Sequence, residues 1–559
     1  GGWIDNQKAT YTYQNYGINY TIDNYTAPYN VAKDDYNDQE KEGSRLRIST
    51  NFDNVNLDLS FLTQESTHNG SYETDILNDA QTASLPARTN TRFTPEIYED
   101  EFEQMSLTLS GNINDDLEFI FTSSIFERDT NYTYDYSSYV EYYYYAAYPS
   151  YVCDYYDYYY YGNISSCRDP RMSYAQTNDI ERTSSEFRIQ SNSESGFQWV
   201  LGAFKESNKK VTDVDYIQPG SSHVNGRWWE ADLTRKGDID AIFGEATIDV
   251  SDKTTLIMGF RDYSQDMSLV AADGYYGTYS FGINATNFNS DESGFIPKIS
   301  ISHDISDDIM VYGTMTEGYR PSGVNRPRPN QVGVIPETYD ADYLDSFEVG
   351  FKSTLYENKL TLNGAYYSMD WEDYQTTTFN SELAAVAYTD NVGDAEITGL
   401  EISADYSVND STSVSLYVNS MDPTLSEDAY SAGVLDASSG NRLAYMPELT
   451  YYLSFDKSFT FMGRSAYANA DYSYTGDRYT TYSNTRVSLP SYAIANVRAG
   501  VDYDNSSLEV YITNLTDEDA YLSRYDDFEG VGDSGYTGFG IRRTGSKPRV
   551  LGIRYRYRY

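Results

Sequence analysis

The sequence predicts an all-β protein: a transmembrane antiparallel up-and-down β-barrel of about 19 strands. Three observations carry that expectation. Apolar residues recur with period two. The segments so marked are joined in pairs by short turns rich in Asp, Asn, Ser and Gly. The connections between pairs are much longer, which sorts short turns to one rim and long loops to the other, as in bacterial outer-membrane barrels.

The first hairpin sets the pattern. Arg45–Phe52 turns at Asp53-Asn54 into Val55–Thr63, where Val55, Leu57, Leu59 and Phe61 share one face and Asn56, Asp58 and Ser60 the other. That is a strand between lipid and water. The unit recurs as Gln104–Asn114 with Leu117–Arg128, Ser184–Ser193 with Phe197–Lys205, and Asp240–Val250 with Thr255–Asp262. It continues as Phe295–Ile305 with Ile309–Tyr319, Asp345–Tyr356 with Lys359–Trp371, and Ile397–Val408 with Ser411–Ser420. Thr450–Ser458 with Arg464–Tyr474 and Ser491–Tyr503 with Leu508–Leu515 complete the hairpins. A lone strand, Arg549–Tyr559, follows. In it Leu551, Ile553, Tyr555, Tyr557 and Tyr559 alternate with Gly552, Arg554, Arg556 and Arg558. Arginine at lipid depth costs roughly 2–4 kcal/mol, so the Arg row is placed toward the lumen or rim.

The long connections, such as Thr130–Arg182 and Asn208–Gly237, gather charge and tyrosine. Glu96–Glu103 reads as an acidic rim, and Tyr139–Tyr161 as a low-complexity Tyr-rich loop. Solvated packing explains both; an aromatic ligand vestibule or a calcium site is the sharper alternative, although no EF-hand spacing is present.

Composition fits this picture. The 559 residues include 60 Tyr and 23 Phe, and the net charge is −45. Such an acidic chain offers no basic stripe to nucleic acid. The mean hydropathy is −0.62, and no apolar run reaches the length of a membrane helix. A barrel strand needs only about 9–11 residues, half of them apolar. The first residues, Gly1-Gly2-Trp3-Ile4-Asp5-Asn6, have neither initiator Met nor a leader's apolar core, so the sequence reads as an internal start.

Little suggests chemistry. Cys153 and Cys167 are expected to form a loop disulfide, since exported space is oxidising. His68 and His223 are placed in loops and His303 near a turn. With 85 Asp and Glu, carboxylate pairs carry no catalytic information. Neither enzyme activity, metal nor cofactor is expected.

Several stretches resemble the barrel of TonB-dependent receptors. Tyr312 to Gly323, reading YGTMTEGYRPSG, resembles the family's mid-barrel strand ending in G-Y-R-P-x-G. Asp345–Lys352 carries an E-x-G-x-K like that of the next hairpin, Asn391–Glu401 resembles N-x-G-x-A-x-x-x-G-x-E, and Asn514-Leu515-Thr516-Asp517 resembles N-L-x-D. The aromatic last strand also fits. The resemblance covers essentially all of residues 1–559 as one barrel domain. It implies an outer-membrane location and active uptake of a scarce ligand of the iron–siderophore, cobalamin, haem or glycan class. The implied partners are outer-membrane lipid, a small-molecule or oligosaccharide ligand, and the TonB system acting through a plug domain. A monomer is expected. Family barrels have about 22 strands, so a seam is expected beside Arg549–Tyr559, with the plug and first strands upstream of residue 1. A passive porin and a surface-adhesive protein using Tyr-rich loops are the alternatives. Trp228, Trp229, Tyr319 and Arg320 are the candidate ligand-binding residues, Arg320 because a lumen-facing guanidinium engages anions.

Overall fold

Alternation of apolar and polar side chains, repeated along a chain whose hairpin turns are two to four residues long, leaves one economical solution. Each strand pairs with the next, and one face of the resulting sheet meets lipid. The computed structural model has that form. It describes residues 2–15, 18–26, 29–75, 86–137, 171–192, 196–218, 226–275, 284–326, 335–378, 388–431, 433–525 and 542–558. Among these residues there is no α-helix.

One antiparallel sheet holds 19 strands in sequence order. They are β1 (Asp38–Phe52), β2 (Val55–Asn69), β3 (Ile97–Asn114), β4 (Leu117–Asp135), β5 (Ser173–Ser191) and β6 (Phe197–Ile217). Next come β7 (Arg227–Ser251), β8 (Thr254–Tyr275), β9 (Asn284–Ser306), β10 (Ile309–Arg320), β11 (Asp342–Leu355), β12 (Leu360–Glu372) and β13 (Ala395–Asn409). Last are β14 (Thr412–Leu425), β15 (Leu449–Phe461), β16 (Arg464–Thr475), β17 (Tyr492–Asp502), β18 (Ser506–Thr513) and β19 (Val550–Tyr557). Every expected strand is present, and among the described residues the short turns lie where the sequence places them.

The extracellular ends differ from expectation. Strands β3 to β9 run far past the lipid band, to 25 residues in β7 and 23 in β9. The segment Ile97–Glu103, read as acidic loop, is strand, and so are 208–217 and 227–237. His68 likewise lies in β2, not in a loop. Above the lipid both faces of a strand meet water, so the period-two apolar signal vanishes although the ladder continues.

Register assigns the faces. Met105 pairs with Ile125, Phe347 with Met315, and Phe260 with Pro297; such rows are apolar and exposed, hence lipid-facing. The alternate rows point into the lumen. There, aromatic rings lie across glycines of the adjacent strand. Tyr263 faces Gly294, Tyr312 faces Gly350, Tyr367 faces Gly399, Tyr467 faces Gly500 and Tyr511 faces Gly552, each as a direct cross-strand pair. A Cβ on any of these glycines would overlap the ring. The pattern accounts for the E-x-G-x-K stretch. Gly350 makes room for the Tyr312 ring, Glu348 accepts its hydroxyl proton at 2.6 Å, and Lys352 Nζ lies 5.6 Å from the ring centroid. At the last strand the cation keeps its place two residues after the glycine, and the carboxylate comes from the tyrosine's own strand: Arg554 lies 5.4 Å from the Tyr511 ring and pairs with Glu509 at 2.8 Å.

The expected seam is present. The ladder is unbroken from β1 to β19, but no register joins those two edges, and the sheet is not closed. With an odd number of strands β1 and β19 run in the same direction, so the antiparallel pattern cannot continue between them. Both are exposed at nearly every position. Extracellular segments bridge the gap. Residues 542–544 pair with 73–75, and Arg88 reaches Asp517 at 2.9 Å. Beneath that bridge Arg92, 1% exposed, holds Asp75 at 2.8 Å and Glu96 at 3.1 Å. Burial raises the Glu96 carboxyl above its usual range against the opposing pull of Arg92.

Candidate ligand vestibule

The tall strands form the wall of an extracellular cup. Its lumen face carries a row of aromatic residues set by register: Tyr134 opposite Tyr174, Tyr174 opposite Tyr216, and Tyr216 opposite Trp229. Tyr174 and Tyr216 meet edge-on at 5.3 Å, and Tyr216 meets Trp229 at 5.0 Å. Such offset and edge contacts suit the ring quadrupole. Burial pushes the Tyr134 hydroxyl up to about 12, and Tyr174 is raised as well. These phenols are therefore neutral hydrogen-bonding groups at physiological pH.

Trp229 is buried in this row, beside Leu233, Leu269, Met172 and Phe93. Two segments fold inward over it. One contributes Ile22 from the antiparallel pair of residues 10–15 and 18–23. The other is the stretch after β10, which contributes Val324 and places the Arg326 guanidinium 5.5 Å from the Trp229 ring. The side chain of Trp228 is not among those described.

The stretch after β10 begins at a polar node. Arg320 lies in a lumen-facing row and grips Asp342 through Nε at 2.9 Å and through Nη2. Asp342 is 1% exposed. It also accepts from Trp371 Nε1 at 2.9 Å and from the Gln375 amide at 3.0 Å. Arg320 donates to the Gln375 carbonyl at 2.6 Å, and its guanidinium lies 4.8 Å from the Trp371 ring and 5.6 Å from Tyr374. Tyr319 stacks on Tyr263 at 4.1 Å, and the Tyr263 hydroxyl donates to Glu292 at 2.7 Å. Glu292 in turn accepts from the Ser322 amide at 2.8 Å.

The candidate residues thus fall into two groups joined by one connector. Tyr319 and Arg320 anchor its start, and Trp229 lies under Arg326 further along it. Arg320 is bound to a carboxylate that sequence reasoning did not identify, 22 residues away; only the fold brings Asp342 to it. Cys153, Cys167 and His223 lie outside the described residues. Among the described residues no group of three or more His, Cys, Asp or Glu side chains is arranged to hold a metal ion. The surface offers aromatic contact area, neutral hydroxyls and guanidinium groups.

Comparison with known proteins bears on the family and the fold. The sequence model for the TonB dependent receptor-like β-barrel matches residues 70–515. Among solved structures, the ferric yersiniabactin uptake receptor FyuA from Yersinia pestis superposes with a TM-score of 0.73 at 14% identity, covering 94% of this chain and 72% of that one. The siderophore receptor PiuA from Acinetobacter baumannii gives 0.68 at 13%, covering 92% and 74%. The ferric-catecholate import receptor Fiu from E. coli K12, in its closed form, gives 0.67 at 14%, covering 93% and 74%.

Proposed function

Because the chain belongs to the TonB-dependent receptor β-barrel family and forms a barrel of the bacterial outer membrane, we propose that its cup captures a ferric siderophore for TonB-dependent uptake. The observation that carries the ligand class is the fold match, over at least 92% of this chain, to three receptors named for siderophores or ferric complexes. The aromatic lumen row supports it, since rigid rings give large contact area at small entropic cost. In this reading residues 1–559 act as one barrel domain, and a plug domain fills the lumen and takes the pull of TonB. Trp228, Trp229, Tyr319 and Arg320 lie along the ligand's path. Arg320 serves it by holding the connector of residues 320–326 in place. The unit works as a monomer in lipid, without enzymatic turnover, and a Cys153–Cys167 bond ties the Tyr-rich loop.

The test is uptake of a panel of radiolabelled ferric siderophores by cells whose only such receptor is the full-length protein. Uptake that disappears on deleting TonB is the expected result. Uptake that persists without TonB would make the protein a passive pore. Loss of cobalamin, haem or glycan uptake with normal siderophore uptake would move it to another ligand class.

A further inference from the structure

On the cup's lumen face two basic side chains stand directly opposite each other across neighbouring strands: Lys210 in β6 and Arg235 in β7. Arg235 continues the row of Trp229, Ala231 and Leu233, so it points inward. The lipid band lies further down the same strand, where Ile242 and Val250 are exposed outward. The pair therefore sits above the membrane, on the wall of the vestibule. Both side chains are half-buried.

Neither has an ionic partner or a hydrogen-bonded side chain among the described residues. The adjoining lumen-facing positions are Ile180, Asn208, Thr212, Leu233, Gly237 and Leu269, and none is acidic. Nearby cations differ. Arg128 holds Asp100 at 2.7 Å, and Arg182 has Glu206 at 3.7 Å. In a chain with 85 acidic and 40 basic residues, two adjacent cations without a carboxylate go against composition. Like charges directly opposite on a sheet are destabilising, and partial burial adds a desolvation cost. Burial holds the Arg235 guanidinium below its usual range. Burial and then the charges of Arg235 and Arg128 lower Lys210.

Tyr339 belongs to the two-residue ladder of 323–324 with 338–339, which packs against β8 and β9. Its phenol is within electrostatic reach of both Arg235 and Arg320.

We propose that Lys210 and Arg235 form a binding site for a carboxylate group of the incoming ligand. This rests on the reading of the cup as a ligand vestibule and adds the charge of what it selects. A guanidinium offers two parallel N–H donors to a carboxylate, and an ammonium adds a point charge beside it. The pair's uncompensated charge is then the feature that makes the empty cup attract carboxylate-bearing complexes over neutral ones.

The test uses the full-length receptor in detergent, titrated with citrate as a polycarboxylate probe and followed calorimetrically. Saturable binding is expected, weakened about tenfold or more in Lys210→Gln and in Arg235→Gln, as for a lost charge-assisted hydrogen bond. Arg235→Lys should fall between, keeping charge but losing the fork. A heat-dependent shift in gel migration, the unheated compact barrel running ahead of the heat-unfolded chain, verifies folding of each variant; if Arg235→Gln does not fold, Lys210→Gln and Arg235→Lys decide. Absence of saturable citrate binding, or equal binding in wild type and variants, overturns the site. Siderophore uptake is measured in parallel. TonB-dependent uptake with citrate binding unaffected by the variants sinks this site alone. Citrate binding that needs both residues, without TonB-dependent siderophore uptake, sinks the proposed ligand class alone.

Discussion

The two sides of the barrel build their extracellular structure by different means. From β3 to β9 the strands simply continue, up to 25 residues long, and the backbone ladder satisfies its own donors and acceptors. From β10 to β19 the strands stop at 8 to 15 residues. There the extracellular layer consists of short ladders knitted by buried polar side chains: Asp342 with Arg320, Asn514 with the Glu518 and Lys547 carbonyls, and Asn441 with the Tyr482 carbonyl. A ladder distributes its hydrogen bonds over many residues. A polar node concentrates them on one side chain, and removing that side chain leaves several buried groups without partners.

The largest expected effect tests that concentration. Arg320→Ala leaves the buried Asp342 carboxylate without its cation, a change that costs about 3–5 kcal/mol for a fully buried pair and less here, because the Arg320 side chain is 46% exposed. Asp342 keeps its bonds from Trp371 and Gln375, which lowers the loss further. Hydrogen exchange should report it as lost protection across residues 320–326 and 338–342, with the β5–β6 ladder unaffected. Equal protection in the variant would mean that the node does not hold the connector.

A second contrast lies within the lumen. Gly399→Ala drives a methyl into the Tyr367 ring, whereas Gly318→Ala meets nothing within 4 Å. Overpacking of this kind costs about 1–3 kcal/mol. The thermal midpoint at which the folded gel band is lost should drop for Gly399→Ala and stay put for Gly318→Ala. A matching drop in both would show that the ring-over-glycine pairs are not tight.

The bridge across the seam should respond to pH. Burial raises the Glu96 carboxyl above its ordinary 4.5, so the folded bridge prefers the protonated form. Its contribution is fully present below the ordinary value and is lost as pH rises through the raised one. Exposed Asp517 is lowered by the Arg549 amide and by Arg88, so its contribution is present above 3.8 and lost on further acidification. Protease resistance of residues 86–96 is therefore expected to rise as pH falls toward 4.5, then fall below 3.8. Glu96→Gln should remove the rise; an unchanged profile in that variant would assign the effect to another group.

These contrasts also mark what the sequence could disclose. All nineteen strands were legible because the lipid band imposes an apolar residue at every second position, and because Asp-Asn and Asn-Asp turns punctuate the lower rim. The upper half of β7 was not, since Arg227–Gly237 meets water above the membrane and shows no apolar period on its outer face. The E-x-G-x-K stretch was visible as a family pattern, but its reason, a tyrosine on the preceding strand lying over the glycine, is a register property. Arg320 stood out as a guanidinium after Gly318-Tyr319. Its partner Asp342 did not, because nothing local distinguishes that aspartate from the others. Lys210 and Arg235 are 25 positions apart, and only strand pairing makes them neighbours.

The smallest expected effect is on the tall wall, and it is the one that sharpens the comparison most. Arg182 and Glu206 face each other at 3.7 Å on β5 and β6, and the Arg182 side chain is 54% exposed. Both side chains project from a ladder whose register runs without a break from Ser173 opposite Ile217 to Gln190 opposite Val200. Water replaces either partner with little penalty, and salt screens the pair, so an exposed ion pair of this kind contributes about 0–1 kcal/mol. If the wall is held by its backbone, Arg182→Ala should leave hydrogen exchange throughout β5 and β6 within about 0.5 kcal/mol of wild type. Adding salt should change nothing further. A loss approaching that of Arg320→Ala would mean that the tall strands, like the short side, depend on individual side-chain contacts, and the distinction between the two walls would fail.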